Sequence, residues 1–280
     1  MNWTVGATKT LAKALTSGRD FAVSYKNIAS TDVVHLELSY ADATDSSGHI
    51  RATITPNTIT FGTENNIGTC GSCSSFPQPD GPAVAYDSNN KIWVGSGDIL
   101  DFQGGDPNTA SSLNADLGSS WTAGFSTPVS LDPSQRGLIH SSALLDIGFG
   151  NMLYVSDDVA NNGQQFTQLH YSKFTSTSWS PTNPTGNVLV SAVPSQDKEG
   201  WDAIALNNSD VRVVSASGSN AYVWRKFDGT SWSAPSASIP NQTSTSSQGV
   251  FLATDGASMW MFVIDSDSAS TVRYKKFDGV

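Results

Sequence analysis

The chain is poor in several residue types that commonly mark function. It holds two cysteines and three glutamates in 280 residues, and its charged fraction is 14%. With only Cys70 and Cys73, in a C-G-S-C stretch, a four-thiolate zinc site is excluded, and the nearest histidines on either side in sequence are His49 and His140. The pair reads as a local loop disulfide or as two free thiols; a thioredoxin-like motif would need a helix to follow, and Ser74-Ser75-Phe76-Pro77-Gln78-Pro79 does not begin one. No run approaches the roughly 18 apolar residues that a membrane helix needs. Met1-Asn2-Trp3-Thr4 lacks the basic-then-apolar layout of a signal peptide, so no membrane insertion is expected. Lysine and arginine are outnumbered 15 to 25 by acids, giving a formal charge of −10. Such a chain repels phosphate backbones, which argues against nucleic acid as a partner. Scarce lysine with abundant Ser, Thr, Asn and Asp suits a secreted or cell-surface protein.

What is present is repetition. Phe174-Thr175-Ser176-Thr177-Ser178-Trp179-Ser180-Pro181 returns as Phe227-Asp228-Gly229-Thr230-Ser231-Trp232-Ser233, 53 residues later, and its opening returns at Phe277-Asp278-Gly279 after a further 50. A period near 50 residues belongs to propellers and solenoids. Alternating segments before each copy, such as Ala221-Tyr222-Val223-Trp224-Arg225-Lys226, read as strands entering a tight turn. Upstream of each lies an apolar hairpin. The clear cases are Ala83–Val94, Ala203–Val214 and Val250–Phe262; looser ones are Ala143–Val155 and Leu11–Ser24.

Five hairpins, each followed by an outer hairpin, predict an all-β, five-bladed propeller of four-stranded antiparallel blades. As a single domain, 1–280, its blades fall at approximately 5–61, 62–127, 128–184, 185–237 and 238–280 plus 1–4. The last unit stops where its outermost strand is due, and Asn2-Trp3-Thr4-Val5 can supply that strand, closing the ring. Trp3, Trp121, Trp179 and Trp232 share one repeat position and Trp93 and Trp260 another, which assigns them to packing.

The D-G-T-S-W-S hairpins and their D-x-N-N and D-G inner turns resemble the repeat of bacterial sialidase-like (Asp-box, or BNR-type) β-propellers, in about three units of the five. The resemblance implies a propeller fold and a site on one face of the ring. It also implies an arginine triad for any sialidase activity. Four of the six arginines (Arg19, Arg51, Arg136, Arg212, Arg225 and Arg273) fall in inferred strands or bottom-side turns, so the triad is not evident.

Loops placed by a rigid scaffold carry function. Those entering the inner strands are expected at about 62–81, 128–140, 182–200 and 236–248; those joining second to third strands at about 26–32, 97–112, 157–166, 216–220 and 265–270. Trp201 breaks the repeat at the expected channel mouth, among Asp197, Lys198, Glu199 and Asp202, the densest charge cluster in the chain. An exposed ring beside carboxylates recognises sugars by stacking and hydroxyl hydrogen bonds. Asp80, Asp157, Arg136 and His140 are placed to join it. The expected function is an extracellular ligand-binding or interaction propeller, its partner a glycan or surface polymer. Two alternatives remain. One is a glycoside hydrolase using Glu199 with Asp202 or Asp80 as its carboxylate pair, which catalysis requires at defined separations. The other is a structural surface or virion-decorating domain. No cofactor is required; Asp98, Asp101 and Asp106 are weak calcium candidates, hard oxygen donors in a Gly-rich loop that matches no EF-hand spacing.

Overall fold

The computed structural model describes residues 8–12, 21–39, 46–69, 81–96, 108–127, 129–131, 141–159, 166–180, 188–190, 200–216, 221–237, 239–240, 247–255, 258–265 and 271–278. Among these residues there are strands and turns, all strand pairs are antiparallel, and no helix is long and apolar enough to cross a membrane.

The strands form five sheets. Sheet 1 contains β1 (Phe21–Ile28), β2 (Thr31–Ser39), β3 (Ser46–Thr55) and β4 (Thr58–Thr69). Sheet 2 contains β5 (Ala83–Tyr86), β6 (Ile92–Ser96), β7 (Asn108–Ser111) and β8 (Val129–Ser130). Sheet 3 contains β9 (Ser142–Asp146), β10 (Met152–Val159), β11 (Phe166–Thr175) and β12 (Ser178–Ser180), with β13 (Val188–Val190) also paired to β11. Sheet 4 contains β14 (Trp201–Asn207), β15 (Asp210–Ala216), β16 (Ala221–Phe227) and β17 (Ile239–Pro240). Sheet 5 has three strands among the described residues, β18 (Ser247–Thr254), β19 (Ser258–Asp265) and β20 (Thr271–Asp278). Residues 1–4, expected to complete it, lie outside the described set.

The local causes are visible in the turns. Asp87 closes the β5–β6 hairpin by accepting the amides of Asn89 (2.8 Å) and Lys91 (2.9 Å) on one oxygen and the Trp93 indole N–H (3.1 Å) on the other. Asp228 does the same beyond β16, accepting from Thr230 and Ser231 at 2.8 Å each. In the repeated outer hairpin, Trp179 packs on Phe174 with ring centroids 5.6 Å apart and Trp232 on Phe227 at 5.2 Å, so these tryptophans serve packing as the spacing indicated.

The sequence reading misplaced the first hairpin. It set the inner pair at Leu11–Leu15 and Phe21–Ser24 and a functional loop at 26–32, whereas Phe21–Ile28 is itself the first strand and 29–30 its turn to β2. That turn is built from Ala29 and Ser30 at φ 48° and 64°, both left-handed, as the two-residue hairpin of the right twist requires. Neither residue advertises the conformation as glycine or asparagine would. Sheet 1 accordingly runs on to Thr69 and not to 61.

Successive sheets pack through their first strands, β1 on β5, β5 on β9, β9 on β14 and β14 on β18. Each sheet thus has a backward face toward the preceding sheet and a forward face toward the next. Ile92, Met152, Val211 and Met259 occupy equivalent backward positions in sheets 2 to 5, and all are 0% exposed. Burying each contributes about 1.5–3 kcal/mol. The backward face of sheet 1 (Phe21, Val23, Tyr25) and the forward face of sheet 5 (Phe251, Val272, Tyr274) are instead exposed, and the described residues provide no comparable packing of β18 on β1.

Candidate functional site

The start of each first strand and the end of each second strand lie at the same end of their sheet. At this end two buried carboxylates, Glu37 and Asp157, and a half-buried one, Asp202, tie adjacent sheets together. Glu37, near the end of β2, accepts the backbone amides of Ala83 (3.1 Å) and Gly95 (3.2 Å) in sheet 2. Gly95 must lack a side chain, because an added Cβ would meet the Tyr154 ring of sheet 3 at 2.7 Å. Asp157, near the end of β10, accepts the amide of Ser141 (3.1 Å) and the indole N–H of Trp201 in sheet 4 (3.4 Å). Asp202 accepts its neighbour Ala203 N–H (2.7 Å) and, across to sheet 5, Leu252 N–H (2.6 Å).

Electrostatics follow from burial. Desolvation pushes Glu37 well above the ordinary carboxylate range against the pull of its two amide donors, and pushes Asp202 up to about 6. The phenol of Tyr154 is raised first by burial and then by the charges of Glu37 and Asp157, which places it between carboxylates of sheets 1 and 3. A polar belt therefore runs through all five sheets at one end.

The belt includes residues that follow, in sequence, the segments bearing the expected ligand residues. Ser141 directly follows residues 132–140, which include Arg136 and His140, and Trp201 follows 191–199, which include Asp197, Lys198 and Glu199. Asp157 fastens both. Gly81, which follows the loop with Asp80, sits at φ +65° against Ser141, where a Cβ would come within 2.9 Å of the backbone; its carbonyl accepts from the Ser142 hydroxyl.

Three of the expected site residues are described: Asp157 and Trp201 come together, while Asp202, next to Trp201 on β14, turns its carboxylate to sheet 5. Asp157 is 1% exposed and Trp201 is 4% exposed. The expectation of Trp201 as an exposed stacking plate is corrected: its ring lies in the core with Leu145, Leu153 and Val211, because Asp157 satisfies its indole N–H and lets the whole ring be buried. Asp202 spends both oxygens on backbone amides instead of facing a channel. Asp80, Arg136, His140, Asp197, Lys198 and Glu199 lie outside the described residues, as do the calcium candidates Asp98, Asp101 and Asp106 and the cysteines Cys70 and Cys73. Among the described residues no group of three or more His, Cys, Asp or Glu could hold a metal ion.

Sequence reasoning passed over a second polar cluster, between sheets 1 and 2. His35, His49 and Asp116 are each 0% exposed. His35 Nδ1 meets His49 Nε2 at 2.7 Å, and its Nε2 meets Asp116 Oδ2 at 2.8 Å. Arg51 forks onto Asp116 at 2.6 and 3.0 Å. Tyr86, Trp121 and Phe125 wall the cluster with ring centroids 5.0–5.2 Å from the imidazoles. The available signal was the alternation of His35 with Glu37 and of His49 with Arg51 along apolar strands, which turns polar residues to the covered face of sheet 1.

No protein-family model and no curated protein sequence matches the chain. Among solved structures it is similar to a fungal lectin from Aleuria aurantia described as a six-bladed β-propeller with a novel fucose recognition mode. The TM-score is 0.55 at 12% identity, over 93% of this chain and 76% of the lectin. It is similar to a Penicillium chrysogenum α-L-arabinanase bound to arabinobiose, with TM-score 0.54, 14% identity, and 91% and 76% of the two chains covered. A Hadza microbial sialidase matches at TM-score 0.50 and 9% identity, over 91% of this chain and 56% of that one. At these identities the likeness is one of fold: the chain has the architecture of a β-propeller, built from antiparallel sheets packed side by side.

Proposed function

We propose that the chain is an extracellular glycan-binding β-propeller module whose ligand is held by the loops above the polar belt. The observation that carries this reading is that Ser141 and Trp201 both bond Asp157, each following in sequence a segment rich in candidate ligand residues, Arg136 and His140 in one and Asp197, Lys198 and Glu199 in the other. Loops anchored to one buried group present their side chains in fixed relation, which is what selective binding needs. Cationic and anionic side chains together suit hydroxyl-rich or acidic sugars. Asp157 and Trp201 act here as positioning residues beneath the site, and binding requires no cofactor. The fold-level neighbours, a lectin described by its fucose recognition and an arabinanase bound to arabinobiose, make glycans the first ligands to try.

In this reading the five sheets close into one ring, the forward face of sheet 5 turning to the backward face of sheet 1 and residues 1–4 completing sheet 5. Support comes from the composition of the two faces: Phe251, Phe262 and Tyr274 with Lys276 on one, Phe21, Val23 and Tyr25 with Asp32 on the other. The hydrolase reading has less support, since Asp202 is occupied by backbone amides on both oxygens.

The test is a glycan array, fucosylated, arabinan, sialylated and uronic-acid chains included, run beside hydrolysis assays on the wild type, Arg136→Ala and Glu199→Gln. Binding without turnover, weakened by both substitutions, is the expected result. Turnover abolished by Glu199→Gln would replace the module with an enzyme, and neither binding nor turnover on any chain would remove the glycan reading altogether.

A further inference from the structure

The cluster between sheets 1 and 2 has an arrangement that goes beyond ligand binding. Asp116 is held far below the ordinary carboxylate range by hydrogen bonds from His35, Arg51 and the Gly118 amide, despite its burial. It is therefore an acceptor only, and His35 Nε2 must carry the proton between them. His35 Nδ1 is then an acceptor and takes the Nε2–H of His49. This leaves His49 Nδ1 as a bare lone pair, fully buried and with no hydrogen-bond partner among the described residues. Every proton site with a partner is already used.

We propose that this imidazole pair is an acid-sensitive latch: uptake of one more proton by His35–His49 places an uncompensated positive charge in the sheet 1–sheet 2 interface and opens it. The groups facing the pair do not relieve that charge. Arg51 on β3 and Asp116 after β7 already cancel each other. Glu37 on β2, raised by burial, holds its proton in the closed interface and gives it up on opening, so it opposes the two histidines by one proton. Tyr86 on β5 stays protonated, and Lys26 on β1, with its ammonium 5.3 Å from the Tyr86 ring centre and bonded to the Asp87 carbonyl, brings no negative charge. Burial lowers both imidazoles, and Arg51 lowers them further, while Asp116 acts in the opposite direction. An open interface exposes the histidines to water, where their ordinary value is 6.5. Opening therefore takes up protons below that pH, and its equilibrium constant grows about tenfold per pH unit for each proton taken up. The Glu37 tie to Ala83 lies in the same interface and is released with it.

The experiment is residue-resolved amide hydrogen exchange on the wild type from pH 7.5 to 5, corrected for intrinsic rates, beside His49→Gln, whose amide keeps a donor toward His35 and cannot titrate. In the wild type, protection of β2, β3 and residues 112–118 should fall about tenfold per pH unit below 6.5, the net of two imidazole protons taken up and one Glu37 proton released, while β15 of sheet 4 shows no fall. In His49→Gln that slope should be lost. Equal loss in sheets 1 and 4, or no loss at all, would overturn the proposal on the wild type alone, whether or not the variant folds. An unchanged slope in a folded His49→Gln would overturn it as well.

Discussion

The junction of sheets 1 and 2 and the junction of sheets 3 and 4 perform one task with opposite materials. The first is lined by His35, His49, Arg51 and Asp116 beside a small apolar group of Ile28, Val84, Ile92 and Val94. The second is mainly apolar, with Leu145, Leu153, Val155, Val211 and Val213 in a cluster that continues into sheet 5 and the Asp157–Trp201 hydrogen bond at one end. Propeller geometry asks only that a backward face fit a forward face. It leaves open whether shape or hydrogen bonding does the fitting, and the choice decides how the junction answers to pH. Apolar packing is indifferent to protons. A saturated polar network is not, because each further proton needs a partner that the network no longer has.

The largest break in this comparison is expected from Asp116→Ala, which strands the Arg51 guanidinium and His35 in the interior. Urea unfolding should register a loss of about 3–5 kcal/mol, the range for a buried pair deprived of one member. Leu153→Ala in the mainly apolar junction removes a 0% exposed side chain and should cost about 2–5 kcal/mol. Its cost should be the same at pH 5 and pH 7.5, and a pH-dependent cost would dissolve the contrast. Asp202, between sheets 4 and 5, should show the opposite pH sign to the histidines. Its folded value, about 6, lies above its ordinary 3.8, so the native state binds more protons between these values and stability falls as pH rises across them. Asp202→Ala lacks that dependence. Its deficit relative to wild type should be larger at pH 4 than at pH 7.5 by about 1–3 kcal/mol, read from paired denaturation curves. The smallest effect belongs to Tyr274→Ser on the forward face of sheet 5. A loss of about 1–2 kcal/mol is expected if the ring closes on sheet 1, and about 0.5 kcal/mol or less if that face stays in water.

How much of this was legible in the sequence depended on whether the information was local. The repeated F-x-x-x-S-W hairpin, the aspartate turns and the alternation of the inner strands are local, and they led to packed antiparallel sheets before any coordinates. Trp93 and Trp260, assigned to one repeat position, do fall at equivalent points of β6 and β19. Sheet 1 lacks the signature hairpin and turns on Ala29-Ser30, so its boundaries were drawn too early. The partners of the belt are remote: Glu37 binds residues 46 and 58 positions away, and Arg51 one 65 away. Nothing in a strand pattern announces such pairings. Trp201 shows the same limit in reverse. A tryptophan amid charges reads as a surface ring until a buried carboxylate for its N–H is found.

The outermost strands carry a separate consequence. In sheets 2, 3 and 4 the fourth-strand position is shared by two fragments: Phe125 and β8, β12 and β13, Trp232 and β17. Sheet 1 has β4 there instead, 12 residues long, and interrupted only by register shifts opposite Ser47–Gly48 and Ile50–Ala52. Fragments offer a neighbouring molecule too few consecutive amides to pair with, whereas β4 presents a full template. Residues 8–12 lie over it, Lys9 bonding the Gly62 carbonyl and the Ala12 amide bonding Glu64. That short strap thus covers part of the rim against strand addition, and trimming it would leave β4 open as a template for a second copy of the chain.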